Sequence, residues 1–135
     1  MTPKRIVFEM FESDLFSLDI SSNHHEIDRE VRLEFTDHQT IFVSWEIMED
    51  GNEYKITYSD KRFFEGKADV IRDMSSLPIF RAMIGQHCSF GHIDPMQQIL
   101  HLRSKHASIY FSSQENDDWG MDVVHISNEK PSFNS

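Results

Sequence analysis

Between Glu30 and Ile47 the chain reads EVRLEFTDHQTIFVSWEI, and apolar side chains return at every second position. Val31, Leu33 and Phe35 alternate with Arg32, Glu34 and Thr36; beyond Asp37-His38-Gln39 the apolar series resumes at Ile41, Val43, Trp45 and Ile47. Successive side chains of a strand point to opposite faces, so a period of two commits this stretch to strands with one buried face. The polar triplet in the middle marks a hairpin turn. EDGN (49–52) supplies a second turn, and EYKITYS (53–59) alternates again through Tyr54, Ile56 and Tyr58. The segment is a three-stranded meander.

The second half repeats the pattern. Set over each other, IFVSWEIMEDGNEYKITYSD (41–60) and IYFSSQENDDWGMDVVHISN (109–128) place Ile41 on Ile109, Ser44 on Ser112, Asp50 on Asp118 and Ser59 on Ser127. LEF (33–35) falls near LHL (100–102) after a one-residue shift. Two similar meanders follow, and an internal duplication is one way to arrive at them. Between them, MSSLPIFRAMIGQ carries helix punctuation: Ser75 or Ser76 as cap, Pro78 in the first turn, Gly85 as the left-handed stop. It predicts about two turns with Leu77, Phe80, Met83 and Ile84 inward. KADVIRD (67–73) reads as an extension of this helix or a separate helical turn, and RIVFEMF (5–11) with DLFSLDI (14–20) as a further strand pair.

The expected fold class is mainly β, a β-rich α+β chain: two antiparallel three-stranded meanders forming a sandwich or partly open barrel, with one short helix between the halves. A single domain spans 1–135, with the first β half at about 4–60, a helical connection at about 67–85, the second β half at about 86–128 and a tail at 129–135. Its core should contain Leu33, Phe35, Ile41, Val43, Trp45, Ile56, Phe80, Met83, Leu100, Leu102, Ile109, Phe111, Val124 and Ile126.

Charge narrows the function classes. The formal net charge is −10, which repels phosphate backbones and argues against nucleic acid as a partner. Glu9, Glu12 and Asp14 break the first apolar run, so neither a signal peptide nor a membrane span is expected. A single cysteine forms no internal disulfide and suits a cytoplasmic protein. The glycines are scattered singly, and no phosphate loop, dinucleotide fingerprint, H-E-x-x-H, C-x-x-C or G-x-S-x-G occurs. The expectation is a chain without a cofactor or catalytic residues, more a binding protein than an enzyme. Its carboxylates gather at corresponding turns: Glu46, Glu49, Asp50 and Glu53 in the first half, and Glu115, Asp117, Asp118 and Asp122 around Trp119 in the second. Such clusters steer a basic protein partner, and Trp119 is a candidate anchor.

The strongest rival lies in GQHCSFGHIDP (85–95), where His87, Cys88, His92 and Asp94 stand within eight positions. They offer ligands for a metal site, or a thiol with neighbouring bases for a small enzyme. If the stretch is extended, His87 and Cys88 point to opposite faces and cannot both hold one ion, and H-C-x3-H-x-D matches no common zinc spacing. Scaffold is the expected role, with metal ligation by these four as the alternative. His101, Tyr110 and His125 are expected on the outer face of the second meander in one cross-strand row, with His101 and His125 roughly 10 Å apart. His24 and His25 read as a polar surface loop. Self-association through an exposed sheet face is a third reading.

In the order VRLEF…IFVSW, LPIFRAMIG, DPMQQILHLRS…IYFSS…GMDVVHIS, the chain resembles small bacterial proteins with two β-rich halves. In size and acidity it resembles immunity proteins of bacterial toxin systems. That resemblance implies a partner, a basic toxin blocked by direct binding, but places no signature residue on any position.

Overall fold

A computed structural model describes residues 1–16, 18–47, 54–113 and 123–131. Among the described residues ten strands form two five-stranded antiparallel sheets, and the mainly β, two-sheet expectation is met. The first sheet contains β1 (Pro3–Met10), β3 (Glu30–Phe35), β4 (Thr40–Ile47), β5 (Tyr54–Ser59) and β6 (Val70–Asp73), in the order β5-β4-β3-β1-β6. The second contains β2 (His24–Ile27), β7 (Ser89–His92), β8 (Ile99–Arg103), β9 (Ser108–Ser112) and β10 (Val124–Ser127), in the order β2-β10-β9-β8-β7.

Each sheet therefore has an up-and-down core of four strands, β1-β3-β4-β5 and β7-β8-β9-β10, plus one strand from elsewhere. β2 leaves the first half to pair with β10, and β6 comes from the connection to pair with β1. The two meanders share a register: Phe42 opposes Ser59 as Tyr110 opposes Ser127, and Ser44 opposes Thr57 as Ser112 opposes His125. Period two works as expected at the core. All fourteen expected core residues lie in one apolar cluster between the sheets or pack against it, joined by Ile6, Phe8, Met10, Ile27 and Met74. Trp45 is only half-buried, its indole N–H donating to the Asp28 carbonyl at 2.9 Å.

Several local expectations are corrected. Residues 70–73 are the edge strand β6, not helix. Of the expected front strand pair only β1 is a strand; Glu12–Phe16 is a turn of 3-10 helix, in which the buried Asp14 carboxylate accepts from the N–H groups of Phe11 and Asp28. The helix α1 is a single turn, Pro78–Arg81, with Leu77 at its N-cap and no side-chain cap. Ser75 stands two residues ahead of that N-cap, and its hydroxyl accepts the Ile6 N–H at 2.9 Å. Gly85 does take the left-handed conformation, φ 78°, and its N–H reaches the Pro3 carbonyl. No helix of the described residues is long and apolar enough to cross a membrane.

Candidate functional site

Each sheet has one face on the core and one face turned away, and the two outward faces are finished differently. β5 and β6 are opposite edges of the first sheet, so residues 60–69 must cross four strand spacings, about 19 Å. Ten extended residues reach roughly 33 Å, enough for that path. The crossing seals a layer of charge. Glu9 is 1 % exposed and receives Arg32 at 2.8 Å and Arg62, from the crossing segment, at 3.0 Å. The Glu30 carboxylate, fully buried, accepts the Phe63 N–H at 3.0 Å. Arg29 donates to the carbonyls of Gly66 and Lys67, and its guanidinium lies over the rings of Phe11 and Phe64. Arg62 covers the Phe42 ring. Burial pushes the Glu30 carboxyl up, as does Glu9 opposite it, against the pull of the Phe63 N–H and the arginines.

No described segment crosses the second sheet from edge to edge. Its outer face carries rings in stacked pairs. His101 and Tyr110, directly opposed on β8 and β9, lie 4.3 Å apart between centroids and 4° from parallel, with His101 Nε2 2.9 Å from the Ser108 hydroxyl. His24 and His125 stack at 5.3 Å and 17°. A cavity of about 170 Å³ opens over this region, lined by His24, Tyr110, Ser112, His125, Ser127 and the stretch Glu129–Pro131. The expected histidine row is corrected by the register. Tyr110 opposes Ser127, and Ser127 opposes His24, so His125 sits in the neighbouring row against Ser112 and Glu26.

Alternation along His24-His25-Glu26 puts His24 and Glu26 on the outer face and His25 on the inner one, which corrects the surface-loop reading of the two histidines. His24 Nε2 stands 3.2 Å from His125 Nδ1, which stands 3.5 Å from Glu26 Oε1. The ligand atoms of these three residues all lie within 4.8 Å of one another. Burial holds the His125 imidazole below the ordinary histidine range; Glu26 opposes that shift and His24 adds to it. His25 is 2 % exposed between the rings of Phe8 and Phe80, and neither ring nitrogen has a hydrogen-bond partner among the described residues. Burial lowers its basicity and the neighbouring His24 adds to that, against the pull of the Asp19 carboxylate.

The four residues of 87–94 do not converge. His87 is exposed, its Nδ1 3.5 Å from the Met1 nitrogen. Cys88 is a buried free thiol leaning on the Gln86 carbonyl, its basicity raised by burial, and its backbone pairs with Met1. His92 Nε2 is 2.8 Å from the Ile56 carbonyl, which can only accept, so that nitrogen carries the proton. With the Ile56 N–H bound to the Gln97 carbonyl, both backbone groups that Ile56 turns to the free edge of β5 are met by β7 and the turn that follows it. Asp94 accepts the N–H groups of Gln98 and Ile99. All four have scaffold contacts.

Of the acidic partner-binding set, Glu46 is exposed on β4, 3.5 Å from Lys55 across the strand pair. Glu49, Asp50, Glu53, Glu115, Asp117, Asp118, Trp119 and Asp122 lie outside the described residues. The outer-face group of His24, Glu26 and His125 escaped the sequence reading. Its one local signal is the alternation in HHEI; the pairing of that segment with β10, about a hundred residues on, is invisible to any window. Comparison of the chain with protein-family models, curated proteins and solved structures finds no match.

Proposed function

We propose that this chain is a non-enzymatic protein-binding module of the cytoplasm, which offers the outer face of its second sheet and its acidic loops to a basic partner. The resemblance to immunity proteins gives the partner a class, a basic bacterial toxin held inactive by the complex. One observation carries the reading: one polar sheet face is sealed by residues 60–69, and on the other, which no described segment crosses from edge to edge, rings stand stacked in pairs. Rings already fixed by their neighbours lose little conformational freedom on binding, so more of the contact energy survives as affinity. A net charge of −10 favours encounter with a cationic surface. Cys88, buried and less acidic than a free thiol, gives no support to a nucleophilic enzyme.

The test is titration with basic candidate toxins at rising salt, beside the double variant His101→Ala/Tyr110→Ala. A complex that weakens with salt, and weakens about tenfold or more in the variant, supports the reading. No complex with any basic partner, or one indifferent to both changes, overturns it. Sedimentation shows whether a second copy of the chain takes this face instead.

A further inference from the structure

We infer that His24 Nε2, His125 Nδ1 and Glu26 Oε1 form a three-ligand site for a divalent transition ion, zinc by preference. The fourth position opens to the cavity over Tyr110 and Ser127. This inference does not rest on the partner-binding reading, and either can fail alone.

Distances carry it first. Zinc binds histidine nitrogen at about 2.0–2.1 Å and carboxylate oxygen at about 2.0–2.2 Å, so two ligand atoms on one tetrahedral ion stand roughly 3.3–3.5 Å apart. The nitrogens of His24 and His125 stand 3.2 Å apart, and His125 Nδ1 is 3.5 Å from Glu26 Oε1. Two of the three ligand-atom pairs are therefore already spaced for one ion, and the third, His24 with Glu26, lies within 4.8 Å.

Architecture carries it second. His24 and Glu26 share a face because they are two apart on β2, and His125 is the direct partner of Glu26 on β10. The strand pair makes the triangle, with His24 its exposed member. Donor chemistry selects the metal. Two imidazoles and one carboxylate suit zinc and its neighbours, whereas calcium and magnesium want oxygen throughout. Three protein ligands leave one place for water, the arrangement of an open zinc centre. One feature limits affinity. With the ion on Nδ1, the second ring nitrogen of His125 carries a proton, and that nitrogen is buried with no acceptor among the described residues. Without an ion, the same 3.2 Å contact is met by one proton shared between the rings.

Calorimetric titration of the chelator-treated protein with Zn²⁺ distinguishes the ion from the proton, with Co²⁺ as an optical probe. One ion per chain is expected, together with the visible absorption of four-coordinate cobalt. His24→Ala should lower affinity at least about tenfold and Glu26→Gln by a smaller factor. His106→Ala, an exposed histidine elsewhere, should change nothing. Thermal melts of the metal-free variants check that each is folded; Glu26→Gln, which keeps size and shape, serves if His24→Ala is not. No binding overturns the inference. So does binding that His24→Ala and Glu26→Gln leave intact, or a cobalt spectrum of the weak six-coordinate kind.

Discussion

The outward faces of the two sheets begin from the same sequence grammar, a polar residue at every second position, and end as different physical objects. On the first sheet Glu9, Glu30 and Arg32 lie beneath residues 60–69 and act as internal structure. On the second, His24, Glu26, His101, Tyr110 and His125 lie on a face that no described segment crosses from edge to edge. The difference arises from connection, not composition. β5 and β6 are opposite edges and must be joined across the sheet, whereas β9 and β10 are neighbours.

Matched truncations should give the largest contrast. Arg29→Ala strips the buried Glu30 of a counter-charge at 3.6 Å and two carbonyls of their donor, and should cost about 3–5 kcal/mol in denaturant unfolding. His24→Ala, on the other face, should stay within about 0.5 kcal/mol. Equal losses would break the distinction.

Acid sensitivity should come next. Burial lowers the folded-state basicity of both His25 and His101. A histidine depressed in the fold is protonated more readily when unfolded, so its stability contribution is complete above the unfolded value of about 6.5 and is lost as pH falls from there toward the depressed value. Unfolding of chelator-treated protein should show this loss below about pH 6.5, at up to about 1.4 kcal/mol per pH unit for each such group. Asp14 and Glu30, both raised by burial, act with the opposite sign in the carboxylate range near pH 4. His25→Leu should flatten the decline and, by removing two unpartnered buried nitrogens, raise stability at neutral pH by about 1 kcal/mol.

A glycine pair sharpens the comparison further. Gly66, in the crossing segment, has φ 76° with open space around its missing side chain, so Gly66→Ala should cost about 1–2 kcal/mol from backbone strain alone. Gly91 on β7 has equal room and no such φ, and Gly91→Ala should be close to neutral. Smallest of all, Glu46→Gln should change stability by under about 0.5 kcal/mol, since its bridge to Lys55 is exposed.

What alternation can tell is which side chains face the core, and it told that well: Leu33, Val43, Leu102 and Ile126 are buried as their phase requires. It is silent on whether the other phase meets water or protein. Val7 and Phe42 were the available hints, large apolar residues in the polar phase and both buried. Punctuation rules found Gly85, but overestimated the helix, which gives way to turns after Arg81. The histidine–glutamate group was illegible because strand pairing over a hundred residues leaves no local trace.

The loan of His24–Ile27 to the far sheet also dictates a timetable. During synthesis that segment emerges early and must wait for Val124–Ser127 before its hydrogen bonds can close. Until then the Ile27 side chain, and His25 with it, has no finished wall to lie against. Contacts this distant in sequence make for slow, late commitment. A chain cut between Ser59 and Val70 leaves each sheet short of a strand held by the other fragment, and therefore gives each fragment a reason to find the other.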